Sequence, residues 1–115
     1  WQLDLGTVHE NAEVYLNGIK ITTLIGPQFT VIIPAAQLKP VNTLVVKVAN
    51  LMANRAIYMD KNNIPYRIFY NTNFPAHGRD SRGADGLFTA ANWAPKASGL
   101  IGPVTLIPVK VLEVK

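Results

Sequence analysis

Two runs of alternating apolar and polar residues meet at the dipeptide Asn17-Gly18, and no other feature limits the fold of this chain so tightly. Before it, Ala12, Val14 and Leu16 share one face while Glu13 and Tyr15 point to the other. After it, Ile19 and Ile21 alternate with Lys20 and Thr22. A period of two is the period of a strand with one buried face. Asn-Gly supplies the two residues that accept positive φ in a type I′ turn, whose twist matches that of the strands it joins. The pattern predicts an antiparallel hairpin.

The flanking sequence extends the sheet. Trp1 to Leu5 alternates, with Leu3 and Leu5 on one side and Asp4 on the other. Phe29, Val31 and Ile33 repeat the period between Gly26-Pro27 and Pro34, and Ala35 to Leu38 suits one short helical turn. Thr43 to Ala49 is apolar and β-branched, as strands prefer. Val104 to Val114 is also strand-like, but Pro108 cannot donate a ladder hydrogen bond, so this strand belongs at an edge or bends there. Several short strands with turn signals between them, and no amphipathic helix, predict an all-β antiparallel sandwich.

Asn50 to Gly99 breaks the pattern. It carries Pro65, Pro75 and Pro95 with several asparagines and glycines, and Pro65 weakens the strand-like stretch Ile64 to Tyr70. Irregular connections beyond about 12–15 residues are uncommon in compact domains and are usually functional. Binding or chemistry is expected in this long loop.

Composition removes several classes of function. At 115 residues the chain has the length of one domain. It is 49% hydrophobic and 16% charged, against roughly 25% charged in an average domain, so disorder is not expected. The absence of cysteine excludes a disulfide framework, a zinc finger and a thiol enzyme. A net charge of +4, spread along the chain, argues against nucleic acid as a partner. No apolar run approaches the ~18 residues of a membrane-spanning helix. The chain opens at Trp1 without an initiator Met, which reads as a piece of a longer protein.

The search for catalytic groups yields little. Glycoside hydrolysis needs two carboxyl groups roughly 5–10 Å apart. The loop offers Asp60, Asp80 and Asp85, of which Asp80-Ser81 and Asp85-Gly86 suit turns, and no pair stands out. His9 and His77 are far apart and lack ligand spacing. No cofactor is expected, and a calcium held by backbone carbonyls and a loop Asp stays open because it leaves no spacing signature. Nucleophile elbow, phosphate loop and dinucleotide fingerprint are all missing.

Aromatic residues carry more information. Seven of the ten, Tyr58, Tyr66, Phe69, Tyr70, Phe74, Phe88 and Trp93, fall in the loop among Asn54, Arg55, Asn62, Asn63, Arg67, Asn71, Asn73, His77, Arg79 and Arg82. Sugars offer apolar C–H faces to flat rings and hydroxyls to Asn, Arg and Asp. The same aromatics would equally serve as a small core that packs the loop.

At this point the motifs resemble a known group. Trp1 to Gly18, with its Leu-Asp-Leu-Gly and Ala-x-Val-x-Leu-Asn-Gly elements, and Val41 to Asn50 look like the galactose-binding-like jelly-roll domain of family-2-type glycosidases. Asn50 to Asp60 and Asn92 to Leu106 resemble the C-terminal domain of bacterial α-L-rhamnosidase-type glycoside hydrolases. The resemblance implies a single β-sandwich domain over residues 1–115 with a long loop at 50–99, a C-terminal part of a larger periplasmic or extracellular polysaccharide-degrading enzyme. It implies a catalytic barrel elsewhere, with that catalytic domain as partner and oligosaccharide as a second. It suggests that Asn50, Asn54, Arg55 and Asp60 form a polar network holding the loop.

The expected carbohydrate-binding residues are Asn54, Arg55, Asp60, Arg79 and Trp93, with no catalytic and no metal-binding residue in this chain. Two alternatives stay open: a purely structural interdomain module without a ligand, and a small free-standing glycosidase using Asp60 or Asp80 as general acid.

Overall fold

The computed structural model describes residues 1–67, 78–112 and 114. Its strands are β1 (Gln2–Asp4), β2 (Thr7–His9), β3 (Asn11–Leu16), β4 (Ile19–Ile25), β5 (Thr30–Ile32), β6 (Leu44–Ala49), β7 (Gly99–Gly102) and β8 (Thr105–Ile107). Among the described residues one α-helix, α1, spans Ala53–Lys61. The contact pattern divides the chain into two compact units, Trp1–Asn50 with Ser98–Lys115, and Leu51–Ala97.

The first unit is the all-β antiparallel sandwich that the alternation predicts. Its sheets run β5-β1-β8, β2-β7 and β4-β3-β6, and each strand pair is antiparallel. Asn17 and Gly18 have φ of 53° and 84°, and Leu16 pairs with Ile19 across the two-residue turn. The turn is fixed further by Asn17 Oδ1, which accepts from the Thr43 amide at 2.9 Å.

Buried side chains come from both three-stranded sheets. Leu3 of β1 meets Ala12, Val14 and Leu16 of β3 in one core with Leu5, Val8, Phe29 and Ile33. Val46 and Val48 of β6 pack on the same core because they stand opposite Val14 and Ala12. Across the hairpin the register slips by one between Val14 and Tyr15, a bulge that leaves Ile21 unopposed. Ile19, after the slip, is exposed rather than buried.

Gly6 and Gly102 form an isolated bridge within this unit. The Gly6 amide donates to Asp4 Oδ1 at 2.7 Å, a local turn closed by the Asp of the Leu-Asp-Leu-Gly segment. At the other end β8 is an edge strand that stops before Pro108, shorter than the run Val104 to Val114 suggested. The proline limits it, since no ladder donor exists there. The single turn expected at Ala35 forms as a short 3-10 segment, Ala35–Gln37.

The second unit holds the clearest departure from the sequence reading. Where one long irregular loop was expected, Ala53–Lys61 is helical. Ala53, Ala56, Ile57 and Asp60 follow helical spacing and are at least half-buried. The helix ends in a Schellman motif: the Ile64 amide donates to the Met59 carbonyl at 2.8 Å and the Asn63 amide to that of Asp60 at 3.3 Å. Asn63 takes the left-handed position with φ of 54°. Ile64–Arg67 has no regular structure, and the rest of the stretch to Tyr70 lies outside the described residues, as do Phe69, Asn71, Asn73, Phe74 and His77.

Candidate functional site

A cleft of about 560 Å³ opens in the second unit, between the end of α1, residues 64–67 and residues 83–89. Its volume is within the range of roughly 300–1,000 Å³ typical of small-molecule sites. The helix brings Asp60 to its floor, where the spacing would otherwise place an apolar residue. The Asp60 side chain is 6% exposed and pairs with Arg67, itself 16% exposed. Asp60 Oδ2 also accepts from the Ala90 amide at 2.6 Å and lies 3.3 Å from the Tyr66 hydroxyl.

Arg67 lies at the centre of this arrangement. Its guanidinium carbon is 4.7 Å from the centre of the Tyr66 ring and 5.0 Å from that of Phe88. One Nη donates to the Tyr66 hydroxyl at 3.0 Å. A desolvated guanidinium against two aromatic faces is favourable, and the carboxylate compensates its charge. The Tyr66 phenol is pushed above the usual tyrosine range, chiefly by desolvation and against the pull of Arg67.

The opposite wall is a tight turn. Asp85 Oδ1 accepts from the Leu87 amide at 3.0 Å, and the Gly83 amide donates to the Leu87 carbonyl at 2.8 Å. A Cβ on Gly83 would stand 2.7 Å from Asp85 Oδ1, so a side chain there would push that carboxylate aside. Asn63, Ile64, Pro65, Ala84 and Thr89 are the other described residues of the lining.

Of the five residues singled out from sequence, only Asp60 lines this cleft. Asn54 is tied to the backbone of Lys96, accepting from its amide at 2.8 Å and donating to its carbonyl at 2.7 Å. Arg55 is exposed on α1, and Arg79 is exposed in the 3-10 segment Arg79–Ser81. Trp93 packs edge-on to Phe88, with centroids 5.7 Å apart and planes at 75°. Its Nε1 donates to Ser81 Oγ at 3.0 Å. Arg67, the partner that organises the site, was only one of many interleaved polar residues in the sequence. The signal that finds it is the buried helical position of Asp60, which demands a cation.

The expected polar network does not form as one cluster. Asn54 fastens the segment at Lys96, whereas Asp60 joins Arg67 and Ala90. Asn50, in the first unit, accepts from the Gly99 amide at 2.8 Å. Among the described residues no group of three or more His, Asp or Glu side chains is arranged to hold a metal ion. No helix among them is long and apolar enough to cross a membrane.

The chain is similar to part of a solved rhamnosidase. That structure, from Novosphingobium sp. PP1Y, matches 90% of this chain at 29% identity with a TM-score of 0.66. The match takes in 8% of the rhamnosidase chain, so the present chain spans a small fraction of that protein's length. No family model matches the sequence, and no curated protein does.

Proposed function

We propose that this chain is a non-catalytic ancillary β-sandwich domain of a polysaccharide-degrading glycoside hydrolase of the α-L-rhamnosidase type. The observation that carries the reading is the rhamnosidase match, which covers nearly all of this chain and a small part of the larger one. The leading motifs make the galactose-binding-like class the assignment we favour for the sandwich. The parent enzyme would work in the periplasm or outside the cell, with its catalytic domain as this chain's main partner.

The chemistry of the second unit agrees with a non-catalytic role. Asp60 Oδ2 is taken up by Arg67, the Ala90 amide and the Tyr66 hydroxyl, bonds that tie the chain together rather than present the carboxyl to a substrate. A small free-standing glycosidase is therefore the weaker reading. Sequencing the reading frame around this segment tests the proposal. A barrel-type catalytic domain in the same frame is expected, and a frame that encodes no second domain overturns it.

One observation favours a second reading, a structural interdomain module without a ligand. Ile32 and Ile107 flank Gln2 in register on β5, β1 and β8 and are 48% and 50% exposed. Val109, Val111 and Leu112, further along the chain, are exposed as well. Such patches mark interaction faces.

A further inference from the structure

We propose that the cleft beside the Asp60–Arg67 pair binds an uncharged saccharide residue. The inference rests on the ancillary-domain reading for the class of ligand and on the cleft itself for its location and charge preference.

The floor of the cleft is electrically settled. Asp60 and Arg67 neutralise each other, and the guanidinium is further occupied by Tyr66 and Phe88. An anionic ligand finds no spare positive charge in that pair. Among the described lining residues the remaining formal charge is Asp85, which repels anions and accepts from hydroxyls.

The groups left for a ligand are those a neutral polyol uses. Asp85 spends Oδ1 on the Leu87 amide, and Oδ2 makes no hydrogen bond among the described residues. The Asn63 side-chain amide, at the exposed end of α1, likewise makes none among them and offers both donor and acceptor. Ile64, Pro65 and Leu87 supply apolar surface for the C–H face of a sugar ring. Each hydrogen bond exchanged with water contributes little net stability, so a shallow site of this kind binds at millimolar rather than micromolar concentration.

Two substitutions probe the site without disturbing the fold. Asn63→Gly removes the side-chain amide and suits the left-handed φ of 54° at the helix end. Asp85→Asn removes the charge and keeps an oxygen for the Leu87 amide. The 115-residue chain is titrated by heteronuclear NMR with methyl α-L-rhamnopyranoside, methyl β-D-galactopyranoside and sodium D-galacturonate, with circular dichroism checking each variant.

Millimolar binding of at least one neutral glycoside is expected, with shifts at Asn63, Tyr66 and Asp85 and a loss of about fivefold or more in each variant. Galacturonate should bind at least about fivefold more weakly than the neutral sugar, and Asp85→Asn should narrow that gap. Absence of neutral-glycoside binding by the folded chain, binding that both variants leave unchanged, or a preference for galacturonate overturns the proposal. The reading-frame test of the ancillary role involves no ligand. A catalytic domain in the same frame together with no sugar binding would therefore sink this inference alone.

Discussion

Gly6 stands against the backbone of Gly102 so closely that a Cβ on Gly6 would lie 2.5 Å from the Gly102 carbonyl carbon and 2.6 Å from its oxygen. The approach joins the turn after β1 to the end of β7, two segments distant in sequence. Gly6 also has φ of 63°. Gly6→Ala is therefore expected to cost about 3 kcal/mol or more, combining a left-handed penalty of about 1–2 kcal/mol with the strain of an overpacked contact. Gly18 has φ of 84°, but a methyl group there would meet nothing within 4 Å. Gly18→Ala should therefore cost only the first part, about 1–2 kcal/mol. Urea denaturation of both variants checks the difference, and equal losses would contradict the contact.

Features encoded by neighbours in the chain were legible in the sequence, and the Gly6–Gly102 approach was not. Asn17-Gly18 prescribes its own turn, and the inward set Leu3, Leu5, Ala12, Val14 and Leu16 follows from alternation alone. Helix α1 escaped because it is short and Asp60 occupies its buried stripe, which breaks the apolar pattern. Its meaning depends on Arg67, on the chain beyond the helix cap, and spacing gave no reason to prefer that arginine. Aromatic content drew attention to the segment that holds the cleft. Whether a ring stacks on a ligand or on its own neighbours is a tertiary question, and Trp93 turned to Phe88 and Ser81.

The Asp60–Arg67 pair should behave as a buried ion pair. Removing one partner leaves the other desolvated and uncompensated, at a cost of about 3–5 kcal/mol. Asp60→Ala is expected to show a loss of this size by urea denaturation. The double variant Asp60→Ala, Arg67→Met should recover part of it, because no orphan charge remains. A double variant no more stable than Asp60→Ala would show that the pairing is not the source of the loss.

On the sandwich, Glu13 takes a hydrogen bond from Lys20 at 2.5 Å and another from Tyr15 at 2.9 Å. These bonds, that from Lys20 foremost, hold the Glu13 carboxyl below the usual glutamate range, and the same bond to Glu13 raises Lys20. The stability linked to Glu13 is present above its ordinary pKa and is lost as pH falls through the lowered folded value. That linked to Lys20 is present below the ordinary lysine value and is lost as pH rises through the raised one. An NMR titration of Glu13 should show Lys20→Met moving its midpoint upward, and added salt should shrink the difference because both groups meet solvent. An unmoved midpoint would count against the bond.

Trp93 is expected to act within the fold rather than on a ligand. Trp93→Phe keeps an aromatic ring near Phe88 and loses the bond to Ser81, so about 1 kcal/mol of stability should go. Saccharide titrations should be unchanged, since Trp93 does not line the cleft. Loss of sugar binding in a folded Trp93→Phe chain would move the site.

Hydrolysis of 4-nitrophenyl α-L-rhamnopyranoside tests the ancillary-domain account most directly, compared between this 115-residue chain and the product of the whole reading frame that contains it. The account predicts nitrophenol release by the whole product and none above buffer by the chain alone. Release by the isolated chain, or by neither, would contradict it.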